Sequence, residues 1–235
     1  MSSTTAEAIL ANLANVAGER ALREADTALD ARVTTLKAYQ QRRFARTYAD
    51  ILASARYGAA ARFFLNELYG PGDFTRRDAQ FSRVVPALVR LFPKAVIQTV
   101  AHLSALHALT ESLDTAMAAH PTVADWTPAL YVRAWQQTGR AADREAQIAL
   151  TISVAAELDT LTRKPLLRKT LHLMRRPARA AGLAELQGFL ETGFDTFAAM
   201  GGAEDFIGLV ATRERSFAAA LFATDPNAAT PSALG

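Results

Sequence analysis

Apolar side chains recur at steps of three and four residues along most of this chain, which is the spacing of one face of an α-helix. The pattern is clear over residues 30–55 and 183–200, where polar residues fall largely between the apolar positions. No segment alternates apolar and polar residues for long enough to predict a β-strand. The pattern therefore predicts an all-α fold, a single orthogonal multi-helix bundle of about eight to ten helices.

Proline and glycine residues divide this pattern into separate helices, because proline cannot continue a helix and glycine favours its C-terminal end. Pro86 predicts either a kink or a fresh helix start near Val84. Residues 93–119 are apolar almost all round, which predicts a central and deeply buried helix. The other predicted helices cover residues 6–16, 30–55, 59–69, 126–138, 141–163, 165–176, 183–200 and 203–222.

The segment FFLNELYGPGDFTRRDAQF, residues 63–81, contains a predicted turn between two helices. The Gly-Pro pair at 70–71 ends the first helix, and Asp73 or Thr75 caps the second. Thr75 and Asp78 have the spacing of a capping box, with Asp in the place usually given to Glu or Gln. Helix termini therefore account for most of the polar residues in this segment.

The composition is that of a soluble globular protein: 50% of the 235 residues are hydrophobic and 21% are charged. The chain has no cysteine, which excludes disulfides, thiolate metal sites and a cysteine nucleophile. We expect one all-helical domain at 1–223, followed by a disordered tail at 224–235. Residues 1–20 lack the features of a signal peptide, and 95–110 are too short and too polar to span a membrane. These observations favour a cytoplasmic location without membrane contact.

The charge is nearly balanced, with 26 basic and 23 acidic residues and a formal net charge of +3. Nucleic-acid binding needs positive charge concentrated on one face, so this balance makes a nucleic-acid partner unlikely. Two short basic clusters are interpreted as solvated helix faces: Arg42, Arg43 and Arg46, and Arg175, Arg176 and Arg179.

Three stretches of the chain, at residues 63–93, 173–202 and 211–215, resemble the bacterial FFLEELY motif proteins. They read FFLNELYGPGDFTRRDAQFSRVVPALVRLFP, LMRRPARAAGLAELQGFLETGFDTFAAMGG and ATRER. One position departs from the motif, because Asn66 stands where the motif has Glu. The resemblance implies a bacterial helical protein, and it supplies no catalytic residue.

Three of the four histidines, His102, His107 and His172, are candidate ligands or acid–base groups. His102 and His107 are five residues apart, which places them too far around a helix to share one metal. His107 and Glu111 are four apart, so they share a face and could pair or offer two ligands. A helical fold could also hold a haem through a single axial histidine, His102, His107 or His172. The plainer interpretation of His107 is a hydrogen-bonded histidine of the core.

Aromatic and arginine side chains around the 63–81 segment suggest a ligand pocket. Tyr57, Tyr69 and Arg62 could orient the polar end of a ligand, while Arg76 and Arg77 at a helix start could hold a phosphate or carboxylate. The alternatives are an ordinary aromatic core and arginine salt bridges to Glu67, Asp73 or Asp78. Two glycines inside a predicted helix, Gly188 and Gly193, indicate a close helix crossing, with a smaller chance that a ligand approaches the backbone there.

The leading hypothesis is a non-enzymatic protein that binds an unknown small molecule or protein partner, with no cofactor or metal and with a homodimer left open. The alternative is an enzyme or a haem-type sensor with its site around His107, Glu111 and the Tyr57/Tyr69 region. The predicted ligand-binding residues are Tyr57, Arg62, Tyr69, Arg76, Arg77, His107 and Glu111.

Overall fold

The computed structural model describes residues 2–67, 72 and 74–229. All regular secondary structure in this part of the chain is helical, which confirms the predicted all-α class. It contains more helices than expected, because short helices are separated from longer neighbours by single residues. The α-helices are α1 (Ser2–Ala25), α2 (Thr27–Thr47), α3 (Ala49–Ala53), α4 (Gly58–Glu67), α5 (Thr75–Leu91), α6 (Lys94–Ala118), α7 (Pro128–Thr138), α8 (Ala141–Thr162), α9 (Pro165–Leu173), α10 (Arg175–Ala180), α11 (Ala184–Ala199) and α12 (Glu204–Ala223).

Two helices at the N-terminal end differ from their predicted bounds. Helix α1 extends well beyond the predicted 6–16, because its second half consists largely of helix-forming Ala, Leu, Arg and Glu and packs on α6. The predicted helix 30–55 is divided at Tyr48, whose φ of −114° and ψ of 24° leave the helical region. No proline or glycine marks this break in the sequence, and the contacts of the buried Tyr48 side chain hold it instead.

The start of α5 differs from the predicted capping box. Phe74 is the N-cap residue and makes no side-chain capping bond, while Thr75 lies inside the helix as its first residue. The Asp78 carboxylate points to other helices instead of capping its own. Pro86 lies inside one continuous helix, so the fresh start near Val84 is not seen. The predicted stop at 70–71 and the alternative cap Asp73 lie outside the described residues.

Helix α6 is central, as predicted, and it packs against α1, α2, α7 and α8. The deep burial predicted for this helix holds at Leu113 and Met117 but not along the whole of its apolar stripe. Val96, Val100 and Leu103 are only partly buried, because α6 turns a polar stripe toward its neighbours. The buried polar residues of that stripe are Thr99, Ser104, Glu111, Asp114 and Thr115.

Three apolar clusters surround this central helix. One joins α2, α6, α7 and α12 around Leu36, Tyr131 and Trp135. A second joins α2 and α3 to α4, α8, α11 and α12, with Tyr48 and Phe197 among its buried members. A third, smaller cluster lies between α1, α5 and α6 and consists of Ile9, Leu13 and Val85.

Residues 224–229, the first part of the predicted tail, lie along α7. The Gln136 amide donates to the carbonyl oxygens of Leu221 and Thr224, both at 2.8 Å. A short 3₁₀ helix, Pro226–Ala228, follows, and the Arg133 guanidinium donates to the Asn227 side chain at 3.1 Å. The rest of the predicted tail, 230–235, is outside the described residues. No helix in the described part of the chain is both long enough and apolar enough to cross a membrane.

Candidate functional site

A cleft of about 320 Å³ lies between the end of α4, the start of α5 and the N-terminal half of α11. Because α11 packs against both α4 and α5, these three helices hold the walls of the cleft in place. The lining combines aromatic faces, charged groups and small residues. Its residues are Glu67, Phe74, Arg77, Ala184, Glu185, Gly188, Phe189 and Thr192.

Arg77 is the cation of this cleft, and two aromatic rings enclose it. Its guanidinium carbon lies 4.1 Å from the centre of the Phe74 ring and 4.3 Å from that of Phe189. The guanidinium donates to the Glu67 carbonyl oxygen at 3.1 Å, its one hydrogen bond among the described residues. The Glu67 and Asp78 carboxylates lie farther away, at 3.7 and 3.9 Å. Burial lowers the pKa of Arg77, although an arginine remains charged at neutral pH.

The Phe189 ring has little freedom to move, because other rings pack against it. It stacks on Phe63 with ring centres 5.4 Å apart, and Phe63 meets Phe64 edge-on at 6.3 Å. Phe63 is almost fully buried. The flat support for the Arg77 guanidinium is therefore set by the core of the protein.

Two glycines of α11 have opposite surroundings. A side-chain carbon placed on Gly193 would lie 2.8 Å from the tip of the Phe63 ring, so this glycine marks the close crossing of α4 and α11. A side-chain carbon placed on Gly188 would meet no atom within 4 Å. The predicted close crossing is thus found at Gly193, while Gly188 leaves open space along the cleft.

The rim of the cleft carries a compensated charge pair. The Arg76 guanidinium lies 3.1 Å from the Glu185 carboxylate, and the Arg76 side chain is 80% exposed. Arg76 therefore compensates the negative charge of Glu185, although its own side chain does not line the cleft. Of the two predicted arginines at this helix start, only Arg77 lines it.

The predicted residues Tyr57 and Arg62 lie elsewhere, around the turn between α3 and α4. The Tyr57 hydroxyl donates to the Asp205 carboxylate at 3.4 Å, and its ring stacks on Phe206 at 5.8 Å. The Arg62 guanidinium donates to the Leu52 carbonyl oxygen at 2.8 Å and is exposed. The remaining tyrosine of that prediction, Tyr69, lies outside the described residues.

His107 does not pair with Glu111, which corrects the pairing expected from their four-residue spacing. Its Nε2 atom lies 2.9 Å from the Asp78 carboxylate, which also accepts from Arg20 at 2.6 Å. Burial raises the pKa of Asp78, but His107 and Arg20 outweigh this and hold it below the usual value. The sequence assigned Asp78 to a helix cap, so its place between α1 and α6 was missed.

Glu111 forms a buried ion-pair group with two bases that the sequence analysis did not identify. Its carboxylate accepts from Arg23 at 2.7 Å and from Lys37 at 2.6 Å. Burial raises the pKa of Glu111, but Lys37 and Arg23 outweigh it and lower that pKa to about 2. The signal was present in the sequence, because Ser104, Glu111 and Thr115 repeat at seven and four residues along the helix predicted to be central.

One turn further along α6, Asp114 is buried with Gln40, whose amide donates to it at 3.0 Å. Burial raises the pKa of the Asp114 carboxyl. Asp114 and Glu111 thus place paired polar side chains along the contact between α1, α2 and α6. The groups bond to one another across the helix contact, so they stabilise the helix arrangement.

Two of the other three histidines, His102 and His172, lie beside acidic side chains. His102 is hydrogen-bonded to the Glu157 carboxylate at 2.8 Å and to the Gln98 amide at 2.7 Å. His172 lies 3.8 Å from the Asp195 carboxylate. Within the described ranges, no three His, Asp or Glu residues form a group that could hold a metal ion. No contact among the described residues joins His107, Glu111 and Tyr57 into one site.

One basic cluster interpreted as a solvated face is partly internal. Arg43 is 1% exposed and forms a bidentate pair with Glu214 of α12 at 2.8 and 3.3 Å, so that interpretation is wrong for this residue. Arg42 and Arg46 are exposed. In the second cluster Arg175, Arg176 and Arg179 are all exposed, and Arg175 pairs with Glu191 at 2.7 Å.

A family model described as "Domain of unknown function (DUF8198)" matches residues 19–228, which include every residue that lines the cleft. No curated protein and no solved structure matches the chain. The match does not bear on the FFLEELY motif or on a bacterial origin, which stay predictions.

Proposed function

Because the chain belongs to the family described as "Domain of unknown function (DUF8198)", a description that names no activity, we propose a function from the geometry of the cleft. The protein is a non-enzymatic binding protein. Its ligand is a small molecule with an apolar body and one anionic group, held between α4, α5 and α11.

The observation that carries this proposal is the position of Arg77 between the Phe74 and Phe189 rings, beside the open space at Gly188. A guanidinium held in one orientation by flanking rings is suited to a carboxylate or phosphate, which it can bind through two parallel hydrogen bonds. The volume of about 320 Å³ is at the lower end of the range of small-molecule sites.

The charges around the cleft are compatible with an anionic group. Arg76 already compensates Glu185. The Glu67 carboxylate lies 3.7 Å from Arg77, and its side chain is 42% exposed, so it can turn toward solvent. A ligand anion takes its place beside Arg77, while the apolar body lies along Phe189 and over Gly188.

The test is a fluorescence titration with 1-anilinonaphthalene-8-sulfonate, an aromatic anion whose emission rises when it leaves water. We expect saturable binding at one site. Arg77→Gln removes the charge and should weaken binding about tenfold or more, since a hydrogen bond to a charged group contributes about 1.5–3 kcal/mol. The matched control Arg76→Gln changes the neighbouring arginine outside the cleft and should lower the affinity far less, because it leaves Arg77 in place and acts only through Glu185.

Arg77→Gln could weaken binding simply by unfolding the protein, so a second variant tests the same cleft. Gly188→Leu places a side chain in the open part of the cleft and should block the probe while circular dichroism shows the helices intact. Equal affinities for the Arg77→Gln and Arg76→Gln proteins, or binding that Gly188→Leu leaves unchanged, would contradict the proposed site.

A further inference from the structure

The surface of α9 exposes apolar side chains to an unusual degree. This helix has no buried residue, and two of its leucines, Leu166 and Leu173, are 74% and 78% exposed. They are seven residues apart, which is close to two full turns, so they lie on the same outward face. Leu167 and Leu171 are partly buried on the opposite side. Met174, which follows α9, is also exposed.

The same segment concentrates positive charge. Between residues 160 and 184 there are seven Lys and Arg residues and no acid, whereas the whole chain has a net charge of only +3. Three of the arginines pair with acids of α8 and α11: Arg163 with Asp159, Arg168 with Asp195, and Arg175 with Glu191.

Four of these bases are exposed and form no ion pair within the described ranges: Lys164, Lys169, Arg176 and Arg179. Lys169 follows Leu166 by three residues and therefore flanks the outward face of α9. Arg176 lies two residues before the buried Ala178, on the opposite and outward side of α10. The free charges thus surround the exposed leucines.

We propose that α9 and α10 form a docking surface for an anionic lipid membrane, independent of the cleft. Leucines that project from a helix can enter the interface between headgroups and acyl chains, where no shaped pocket is needed. Lysine and arginine side chains beside them reach the lipid phosphates, with their apolar stems along the surface. Contact of this kind is peripheral and reversible and needs no membrane-spanning helix, and it departs from the absence of membrane contact expected from the sequence.

The charge and the side chains argue against two other occupants. A second copy of the same surface would bring the four positive charges that have no ion pair in the described ranges against the same four, which opposes a symmetric contact. Nucleic-acid surfaces use aromatic rings to stack on bases, and residues 163–183 contain no Phe, Tyr or Trp. Exposed leucines also have little to gain against a phosphate backbone.

The experiment is co-sedimentation with unilamellar vesicles, either of phosphatidylcholine alone or with 30% phosphatidylserine. The full chain should bind the vesicles that contain phosphatidylserine and bind those without it far less. Binding should fall as salt is raised, because surface charges are screened. Lys169→Glu should lower the partition coefficient about fivefold or more, whereas Arg42→Glu, an equal change of charge on α2, should not alter it.

Variants of the exposed leucines distinguish binding to a membrane from binding to other anionic partners. The double variant Leu166→Ser, Leu173→Ser should lower vesicle binding about tenfold or more. Leu22→Ser, which changes a leucine of α1 that is 61% exposed, should leave it unchanged. The altered leucines are on the surface, so circular dichroism should show intact helices.

Several results would overturn the proposal. These are no preference for phosphatidylserine, or vesicle binding that the double leucine variant leaves unchanged. Tight binding of a nucleic-acid duplex that depends on the bases and not on the leucines would assign the surface to nucleic acid instead. A dimer that the double leucine variant converts to a monomer, without vesicle binding, would assign it to a second copy of the chain.

Discussion

Phe63 shows how one buried side chain determines the surroundings of residues far away in the sequence. Its ring meets Gly193 of α11 and at the same time stacks on Phe189, which supports the guanidinium of Arg77. A larger side chain at position 193 would therefore displace the Phe63 ring, and Phe63 directly contacts Phe189 of the cleft. Gly188, one turn before the crossing and open to solvent, has no such neighbour.

The two glycines should respond to alanine with opposite signs. Gly188→Ala should raise the free energy of unfolding by about 0.5–1 kcal/mol, because glycine inside a helix is unfavourable and space is free. Gly193→Ala should lower it by about 1–3 kcal/mol, since Phe63 is held by other rings and cannot yield cheaply. Urea denaturation with a common slope measures both. A change in the same direction for both variants would disprove this account.

At the scale of single residues, the sequence showed which residues are important better than it showed which side chains they contact. The glycine pair indicated a close crossing, but only the position of Phe63 distinguishes Gly193 from Gly188. Arg77 was a candidate because it lies near a helix start. One of its two supporting rings, Phe74, is close in the sequence, but the other, Phe189, lies more than 100 residues later, and no local pattern links it to Arg77.

Between elements, the charged contact of α2 with α12 holds the end of α2 in place. Glu214 of α12 accepts from both Arg43 and the Tyr48 hydroxyl, each at 2.8 Å. The Arg43 guanidinium also lies over the Phe217 ring at 4.3 Å. These contacts coincide with the break between α2 and α3 at Tyr48.

Arg43→Met should destabilise the protein by about 3–5 kcal/mol, because it removes the cation from a mostly buried pair and leaves Glu214 with an uncompensated charge. Arg42→Met alters the adjacent exposed arginine and should change stability by less than about 0.5 kcal/mol. Thermal and urea unfolding compare the two variants. Similar losses in both would show that the pair with Glu214 contributes little.

The helices were predictable wherever proline or glycine bounds them. Helices α6, α7, α8, α11 and α12 begin and end within about two residues of the predicted positions. The break at Tyr48 was not predictable, because it depends on Glu214 and not on a local helix breaker. The burial of Arg43 was missed for the same reason, since a run of arginines has no periodicity that marks one of them as internal.

Across the whole molecule, the polar stripe of α6 makes stability depend on charge at the centre of the fold. Glu111 is 4% exposed and compensated by Arg23 of α1 and Lys37 of α2. Sequence periodicity predicted that α6 is central, but it could not predict this pairing. The three partners lie on three helices, and a charged residue at one position does not specify which helix faces it.

Stability should fall as the pH is lowered from about 4.5 toward 2. The pKa of Glu111 is about 2 in the folded protein, below the usual value of 4.5, so folding favours the ionised carboxylate. That contribution is complete above the unfolded pKa and is lost as the pH falls through the folded one. Asp114, whose pKa is raised by burial, has the opposite dependence. A comparison with Glu111→Gln is therefore more informative than the wild-type profile alone.

At pH 7, Glu111→Gln should be less stable than the wild type by about 3–5 kcal/mol, since two buried cations lose their anion. The difference should shrink as the pH approaches 2. Glu204→Gln, at an exposed position without an ion pair in the described part of the chain, is the control and should show little difference at any pH. If the difference in the free energy of unfolding between wild type and Glu111→Gln did not change with pH, the lowered pKa of Glu111 would be refuted.

The match to the family model begins at residue 19, in the middle of α1, yet Ile9 and Leu13 before it pack with Val85 at the α5–α6 contact. A shortened protein that started at this boundary would leave Val85 bare and remove the first half of a helix that packs along α6. The folded unit therefore extends beyond the residues that the family model matches, and the first half of α1 belongs to it.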